Sequence, residues 1–300
     1  MSLTARPPGI TVRPIGGLGN QMFVYATGLA QALRLGCPLY VSTNWFATQS
    51  LRALELDSFR LQGVLIDTAP SRLSHSFARV DRRLQGSRLG SLRRSGERVF
   101  VERDSRYDER ITTIAPNMEL SGYFQSWRYF DRCASAIRGE FARIQNPSSW
   151  FTETHQELAE LGNWTAVHVR RGDYLDPGKT NYHGLADTDY YARSIDLIEN
   201  QVGDLPLVVF SDEPRIAAEV LQPLGRQLRI IESPPGSRPA ESLLLMTGAA
   251  AAVIANSSFS WWGAWLAKEG NIVVAPRPWF DDSAFIDRDL LPRSWITISR

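Results

Sequence analysis

The chain reads as short apolar runs alternating with longer amphipathic ones. Ile10–Ile15 is a short apolar run with Pro14 near its end, where a missing N–H is tolerated. Beyond a glycine cluster, Met22, Phe23, Ala26, Leu29, Ala30 and Leu33 fall on one helical face. Gly36 and Pro38 close that helix, and Leu39–Val41 opens a further strand. Strand, glycine loop, helix, strand is a βαβ unit. A strand is expected over Arg98–Glu102 and mainly helical structure over 131–160, broken at Pro147.

From residue 164 the alternation becomes regular. Strands are predicted at Trp164–Val169, Leu207–Phe210, Leu228–Ile231, Ala251–Ala255 and Ile272–Ala275. Helices are predicted at Asp189–Gln201, from Pro214 to about Leu221, at Pro239–Thr247, and through Trp261, Trp262, Trp265 and Leu266. Five strands with helices between them predict a parallel, doubly wound α/β sheet. The pattern divides into an N-terminal domain, 1–160, and a C-terminal domain, 161–300, with the boundary expected within 147–162.

Composition narrows the possibilities. The chain has 300 residues, 43% hydrophobic and 22% charged, with net charge +1. That is ordinary for a two-domain globular protein and argues against nucleic acid as a partner. Two distant cysteines, Cys37 and Cys133, form no disulfide framework or CxxC, which fits a reducing compartment. Four histidines make no HExxH, so no metal is expected. Met1–Gly9 holds no apolar signal region, and no run is long enough to span a bilayer. The expected location is the cytoplasm. One segment departs from the balance: eight arginines recur between Arg72 and Arg98. A solvated face is the default for it; a mobile lid and a surface touching anionic lipid at the membrane's inner face are the alternatives.

The candidate chemistry gathers at strand ends. Trp164–Val169 runs into Arg170, Arg171, Gly172 and Asp173. Arginine stays ionised, and its planar fork matches phosphate oxygens. Arg170, Arg171, Asp173, Ser211, Asp212, Asn256, Ser257 and Ser258 all follow C-terminal ends of predicted strands, the edge where open α/β sheets bind ligands. Ser257 and Ser258 open a helix, an anion-binding arrangement. Gly16, Gly17 and Gly19 precede Asn20 and Gln21 at another helix start. They read equally as an anion-binding loop or as a tight turn with an N-cap at Asn20. The spacing matches neither GxGxxG nor a P-loop. Asp187-Thr188-Asp189 looks like the DxD of some sugar-transferring enzymes, but a helix N-cap is the preferred reading. Glu119–Phe130 is dense in aromatics, suited to sugar faces or to a core cluster.

Four blocks together resemble the bacterial α-1,2-fucosyltransferases, the family that includes the animal galactoside 2-α-L-fucosyltransferases. They are Gly16-Gly17-Leu18-Gly19-Asn20-Gln21-Met22-Phe23, Tyr123-Phe124-Gln125-Ser126-Trp127, His168-Val169-Arg170-Arg171-Gly172-Asp173-Tyr174, and Asn256-Ser257-Ser258-Phe259-Ser260-Trp261-Trp262-Gly263-Ala264. They occur in family order. The resemblance implies a GT-B-like fold, with two Rossmann-like domains facing across a cleft. It implies GDP-β-L-fucose as donor, a galactose-ending glycan as acceptor, inversion at the anomeric carbon, and no required metal or cofactor; a lipid-linked form of that glycan is the further expectation. It assigns the β-phosphate to Arg170 and places Asn20 near donor and acceptor. Ser257, Ser258 and Ser260 match the family's phosphate-side loop.

Gly17, Gly19, Arg171, Asp212, Glu241, Asn256 and Phe259 complete the expected donor side; Gln21, Gln125 and Trp127 join Asn20 on the acceptor side. Asp173 and His168 are the candidate bases, and both also have structural readings. The chain departs from the family where Leu245–Ala250 replaces a C-x-H-like pattern. A transferase of another GDP-sugar, linkage or acceptor is the nearest rival. A non-enzymatic carbohydrate-binding protein would explain the aromatics but not the phosphate-type loops. A Rossmann dehydrogenase would need GxGxxG and a ribose acid.

Overall fold

The computed structural model describes residues 6–48, 53–66, 98–171, 186–282 and 285–300. The chain forms two compact units, residues 1–141 with 288–290, and residues 142–287 with 291–300. The division falls some way before the expected 160/161. The reason is the helix Ser149–Glu160, whose N-cap Ser148 bonds Glu241 and which packs on the helix Pro239–Met246 of the second unit.

The first unit is built on a parallel five-stranded sheet. Its strands are β1 (Ile10–Val12), β2 (Leu39–Ser42), β3 (Val64–Ile66), β4 (Arg98–Val101) and β5 (Met118–Ser121), in the order β3-β2-β1-β5-β4. Helix α1 (Leu18–Leu35) starts earlier than the periodicity predicts, so Gly19 and Asn20 belong to its first turn. Gly17, not Asn20, is the N-cap. Its C-terminus has Gly36 in the left-handed conformation, as helix ends commonly do. Gly28 lets α1 lie close on the sheet, because a Cβ there would stand 2.3 Å from Val12. Strands β3 and β5 have no counterpart in the sequence reading. β5 is four residues long and its apolar character merges into the aromatic run behind it, so period alone gives no separate signal. Helix α2 (Ala134–Phe141) closes this unit.

The second unit holds α3 (Ser149–Glu160), β6 (Thr165–Val169), α4 (Thr188–Val202), β7 (Leu207–Ser211), α5 (Pro214–Leu221), β8 (Leu228–Ile231), α6 (Pro239–Met246), β9 (Ala251–Val253), α7 (Ser258–Leu266), β10 (Ile272–Arg277) and β11 (Ile296–Ser299). The sheet order is β11-β10-β9-β6-β7-β8, all parallel. Counted from β6 this is 3-2-1-4-5-6, the doubly wound order with its switch point between β6 and β9. The five expected strands are present, and β11 is a sixth. β6, β7 and β9 are buried on both faces, which explains their continuous apolar runs. Tyr190, Tyr191, Ile195 and Ile198 of α4 pack over them. α6 and α7 meet where Gly263 faces Met246 at a distance that leaves little room for a side chain. Trp261, Trp262, Trp265 and Trp295 form one ring-on-ring cluster beneath α7.

Candidate functional site

Each unit brings polar side chains to its own switch point. In the second unit, β6 ends at Val169 and its neighbour β7 at Ser211, so Arg170 and Asp212 emerge side by side. One Asp212 oxygen pairs with Arg170 Nη1 at 3.1 Å, with both side chains about a quarter exposed. The other accepts the Arg171 backbone N–H at 3.0 Å. A single carboxylate therefore fixes the turn after β6 and the guanidinium that leaves it.

The two arginines do different work. Arg171 is buried at 7% exposure and donates from Nη2 to the Ala186 carbonyl at 2.7 Å. Its guanidinium supports the chain entering α4 and is not presented with that of Arg170. Asp187 caps α4, accepting the Tyr190 N–H at 2.8 Å, and Asp189 pairs with Arg193 one turn on. The DxD-like triplet is thus a helix N-cap. Among the described residues no group of three or more His, Cys, Asp or Glu could hold a metal ion.

Across the switch point, β9 runs into Asn256 and α7. Ser257 is the N-cap, its hydroxyl accepting the Phe259 N–H, and Ser258 is half-buried at the first helical position. The start of α7 carries the partial positive charge of a helix N-terminus. Asn256 is buried and donates to the Trp279 carbonyl at 3.1 Å. Ser260, expected on the phosphate side, is fully buried, with its hydroxyl on the Ala255 and Ser257 carbonyls. It shapes the loop from behind.

His168 lies inside β6 at 2% exposure, its ring tilted against Phe259 with centroids 5.6 Å apart. Burial is the main cause that lowers its pKa to about 3, with Arg170 adding to it and Asp212 opposing. The imidazole is neutral at physiological pH, and its Nδ1 has no hydrogen-bond partner among the described residues. A side chain sealed within the sheet is poorly placed to meet an acceptor hydroxyl. Asp173, the other candidate base, lies outside the described residues, as do Arg72–Arg94.

Glu241, expected at a ribose, is 1% exposed. Its oxygens accept from Ser148 N and Oγ at 2.8 and 3.0 Å and from Arg238 at 3.3 Å. The carboxylate ties α6 to the start of α3, and this geometry gives it a structural task rather than a ligand.

In the first unit, β1 and β5 are neighbours, so the segments leaving their C-terminal ends come together. Gln125, after β5, donates to Asn20 Oδ1 at 2.7 Å. Both side chains are half-buried, and Trp127 is half-buried close behind in sequence. Gly16 holds φ +73, and a Cβ there would crowd the Asn20 amide nitrogen at 2.9 Å. That residue is glycine for both reasons. Gly17 is half-buried and Gly19 buried in the helix's first turn, so the cluster makes a tight turn more than an open phosphate cradle. Gln21 is fully buried: its amide nitrogen donates to Gly16 and Ala53 carbonyls, and its oxygen accepts the Glu55 N–H. It anchors the turn and leaves no face for an acceptor.

The aromatic run is partly core, since Phe124, Tyr129 and Phe130 are buried, whereas Tyr123 stands 45% exposed. Phe124 has φ +52, a conformation that costs about 1–3 kcal/mol for a non-glycine residue and clusters at functional sites. The group that holds it is Glu102, which sequence reasoning misses. It follows β4, the neighbour of β5, and accepts backbone N–H bonds from Tyr123 and Phe124, each at 2.9 Å. A carboxylate at the end of a predicted strand is the one available signal.

The comparisons with known proteins agree with this architecture. The chain is 27% identical to an α-1,2-colitosyltransferase of Escherichia coli, over 97% of this chain and 99% of the other. It is 28% identical to the O-antigen biosynthesis glycosyltransferase WbnK of Escherichia coli, over 88% of this chain and 93% of the other. Rat (Rattus norvegicus) galactoside α-(1,2)-fucosyltransferase 1 is 25% identical, over 88% of this chain and 65% of the other. Among solved structures, fucosyltransferase NodZ from Bradyrhizobium shares the fold at TM-score 0.50 and 14% identity, covering 87% of this chain and 94% of the other. A variant of Arabidopsis thaliana FUT1 in complex with GDP does so at TM-score 0.54 and 13% identity, covering 99% of this chain and 77% of the other. Residues 107–299, from between β4 and β5 through β11, match glycosyl transferase family 11, and the chain belongs to that family.

Proposed function

We propose that this chain is an inverting, metal-independent transferase that moves L-fucose from GDP-β-L-fucose to the 2-hydroxyl of a terminal galactose. Its acceptor would be a glycan of bacterial surface polysaccharide assembly, lipid-linked and met near the membrane. The observation that carries the reading is the Arg170–Asp212 pair at the switch point of a doubly wound sheet, with the α7 N-terminus following the neighbouring strand. The four family blocks and the names of the Escherichia coli relatives support the sugar and the pathway class.

The chemistry follows from charge. Breaking the bond between fucose C1 and the phosphate oxygen leaves negative charge on the β-phosphate. In a site without a metal, fixed cations and N–H dipoles must stabilise it. Arg170, already held by Asp212, and the start of α7 supply both. One well-placed donor of this kind contributes roughly 3–4 kcal/mol to the transition state. The fucose ring takes on oxocarbenium character, and the acceptor hydroxyl attacks from the opposite face. Asn20, whose amide oxygen receives Gln125, positions that hydroxyl through its remaining amide donors.

A second donor sugar competes, because the relative spanning nearly all of both chains is named a colitosyltransferase. The deciding experiment incubates the purified chain with GDP-fucose and lactose in EDTA. Release of GDP with an α-1,2-fucosylated product is expected. No turnover and no GDP affinity would overturn the reading. GDP affinity together with turnover only of an activated colitose would leave the reaction class standing and change the sugar.

A further inference from the structure

Glu102 sits where one carboxylate can govern a loop. Its Oε2 receives two successive backbone N–H groups, those of Tyr123 and Phe124, both at 2.9 Å. Its Oε1 lies 3.1 Å from the Tyr129 hydroxyl. Two adjacent N–H groups converging on one anion form a nest, which requires an unusual backbone. That backbone is present: Phe124 is at φ +52 and Gly122 at φ +157. Gly122 has no alternative, because a Cβ there would stand 2.5 Å from Glu102 Cβ and 2.6 Å from Oε2. The Phe124 ring is fixed in turn against Phe100 and Tyr129. The next residue is Gln125, whose amide meets Asn20.

We propose that Glu102 is a positioning residue for the acceptor: it locks the Gly122–Gln125 loop, and through Gln125 it orients the Asn20 amide. The role rests on the reading of Asn20 and Gln125 as acceptor-side groups. A left-handed non-glycine backbone is costly and clusters at functional sites, and here the half-buried Glu102 carboxylate holds it in place. Fixing Gln125 removes two rotatable partners from the acceptor encounter, because Gln125 already engages Asn20 Oδ1 and the Asn20 amide nitrogen packs close to Gly16.

The test compares wild type, E102A, E102D, Q125A and E102A/Q125A in transfer from GDP-fucose to lactose, with GDP affinity measured separately. E102A should raise the acceptor KM or lower the acceptor kcat/KM by about 30-fold or more, the scale of a roughly 1 Å misplacement. The KM for GDP-fucose and the GDP affinity should stay within about threefold, marking a loss confined to one substrate. E102D keeps the charge but retracts it by one methylene, so it should fold and still lose about tenfold on the acceptor side. The double variant should be no worse than the poorer single one, since both act on Asn20 through one chain of contacts. An E102D enzyme with wild-type acceptor KM, additive losses in the double variant, or equal losses toward donor and acceptor would each overturn the role. Wild-type protein that binds GDP yet transfers to no galactoside would overturn the acceptor reading beneath it.

Discussion

The Asp212 carboxylate bridges two consecutive residues, accepting the Arg171 backbone N–H on one oxygen and the Arg170 guanidinium on the other. Arg170 is therefore pre-organised: its charge stands at the sheet edge before any ligand arrives, and little side-chain entropy remains to be lost on binding.

Replacing Arg170 by alanine should lower kcat by about 100- to 1,000-fold, the effect of deleting one anion-stabilising donor. Arg170→Lys should recover little, because a point charge lacks the planar fork. Steady-state kinetics with far-UV circular dichroism as the folding check will measure both. An Arg170→Ala enzyme of wild-type efficiency would remove Arg170 from the phosphate.

Asp212→Asn keeps the size of the side chain and removes its charge. It should reduce kcat/KM by about tenfold, less than the loss at Arg170, because the guanidinium remains but is no longer held. In the double variant the Asp212 change should add little to the Arg170 loss. Full additivity would show that Asp212 acts separately, for instance on the nucleotide.

His168 gives the fold a defined acid sensitivity. An unfolded histidine titrates near 6.5, whereas burial holds the folded one at about 3. Below pH 6.5 the unfolded chain binds a proton that the folded chain refuses, so the contribution is present above pH 6.5 and drains away as pH falls toward 3. The titratable neighbours Arg170 and Asp212 stay in place in His168→Gln. That variant should show a flatter fall in melting temperature than wild type between pH 6 and 4. Parallel curves would place the acid sensitivity elsewhere.

Glu241→Ala separates structure from binding. It leaves the Ser148 N–H and the Arg238 guanidinium without their buried acceptor and should cost about 2–4 kcal/mol of stability. GDP affinity at a temperature where the variant is folded should match wild type. A selective loss of GDP affinity with unchanged melting would restore a ribose role.

How much of the molecule is legible in its sequence depends on the range of each interaction. Residues 164–275 alternate strand and helix with clear periods, and burial of both sheet faces makes β6, β7 and β9 solid apolar runs. Those three are legible for that reason, and β8 and β10 through their place in the alternation. β11 is an edge strand of alternating half-buried and exposed residues, and β5 merges with aromatics, so neither stands out locally. The blocks around Asn20, Gln125, Arg170 and Ser257 can be recognised because each is contiguous in the chain. The task of each side chain within a block cannot. Arg170 and Arg171 are adjacent and chemically identical; only the pairing of β6 with β7, 42 residues on, gives one to the sheet edge and the other to Ala186.

The sequence by itself determined the fold class, the family and the strand ends where the chemistry gathers, because those depend on local period and contiguous motif. Tertiary structure alone decided which polar groups are open and which are sealed. Gln21, Ser260 and Glu241, expected on the ligand side, are sealed by hydrogen bonds with partners from 3 to 93 positions away. The contacts of Glu102 arise from tertiary structure too, through N–H groups 21 and 22 positions downstream. The physical reason is that a polar atom withdrawn from water must find a partner, and for Gln21, Glu241 and Glu102 the packing of distant segments sets which partner comes close, whereas Ser260 finds its own within the turn before its helix.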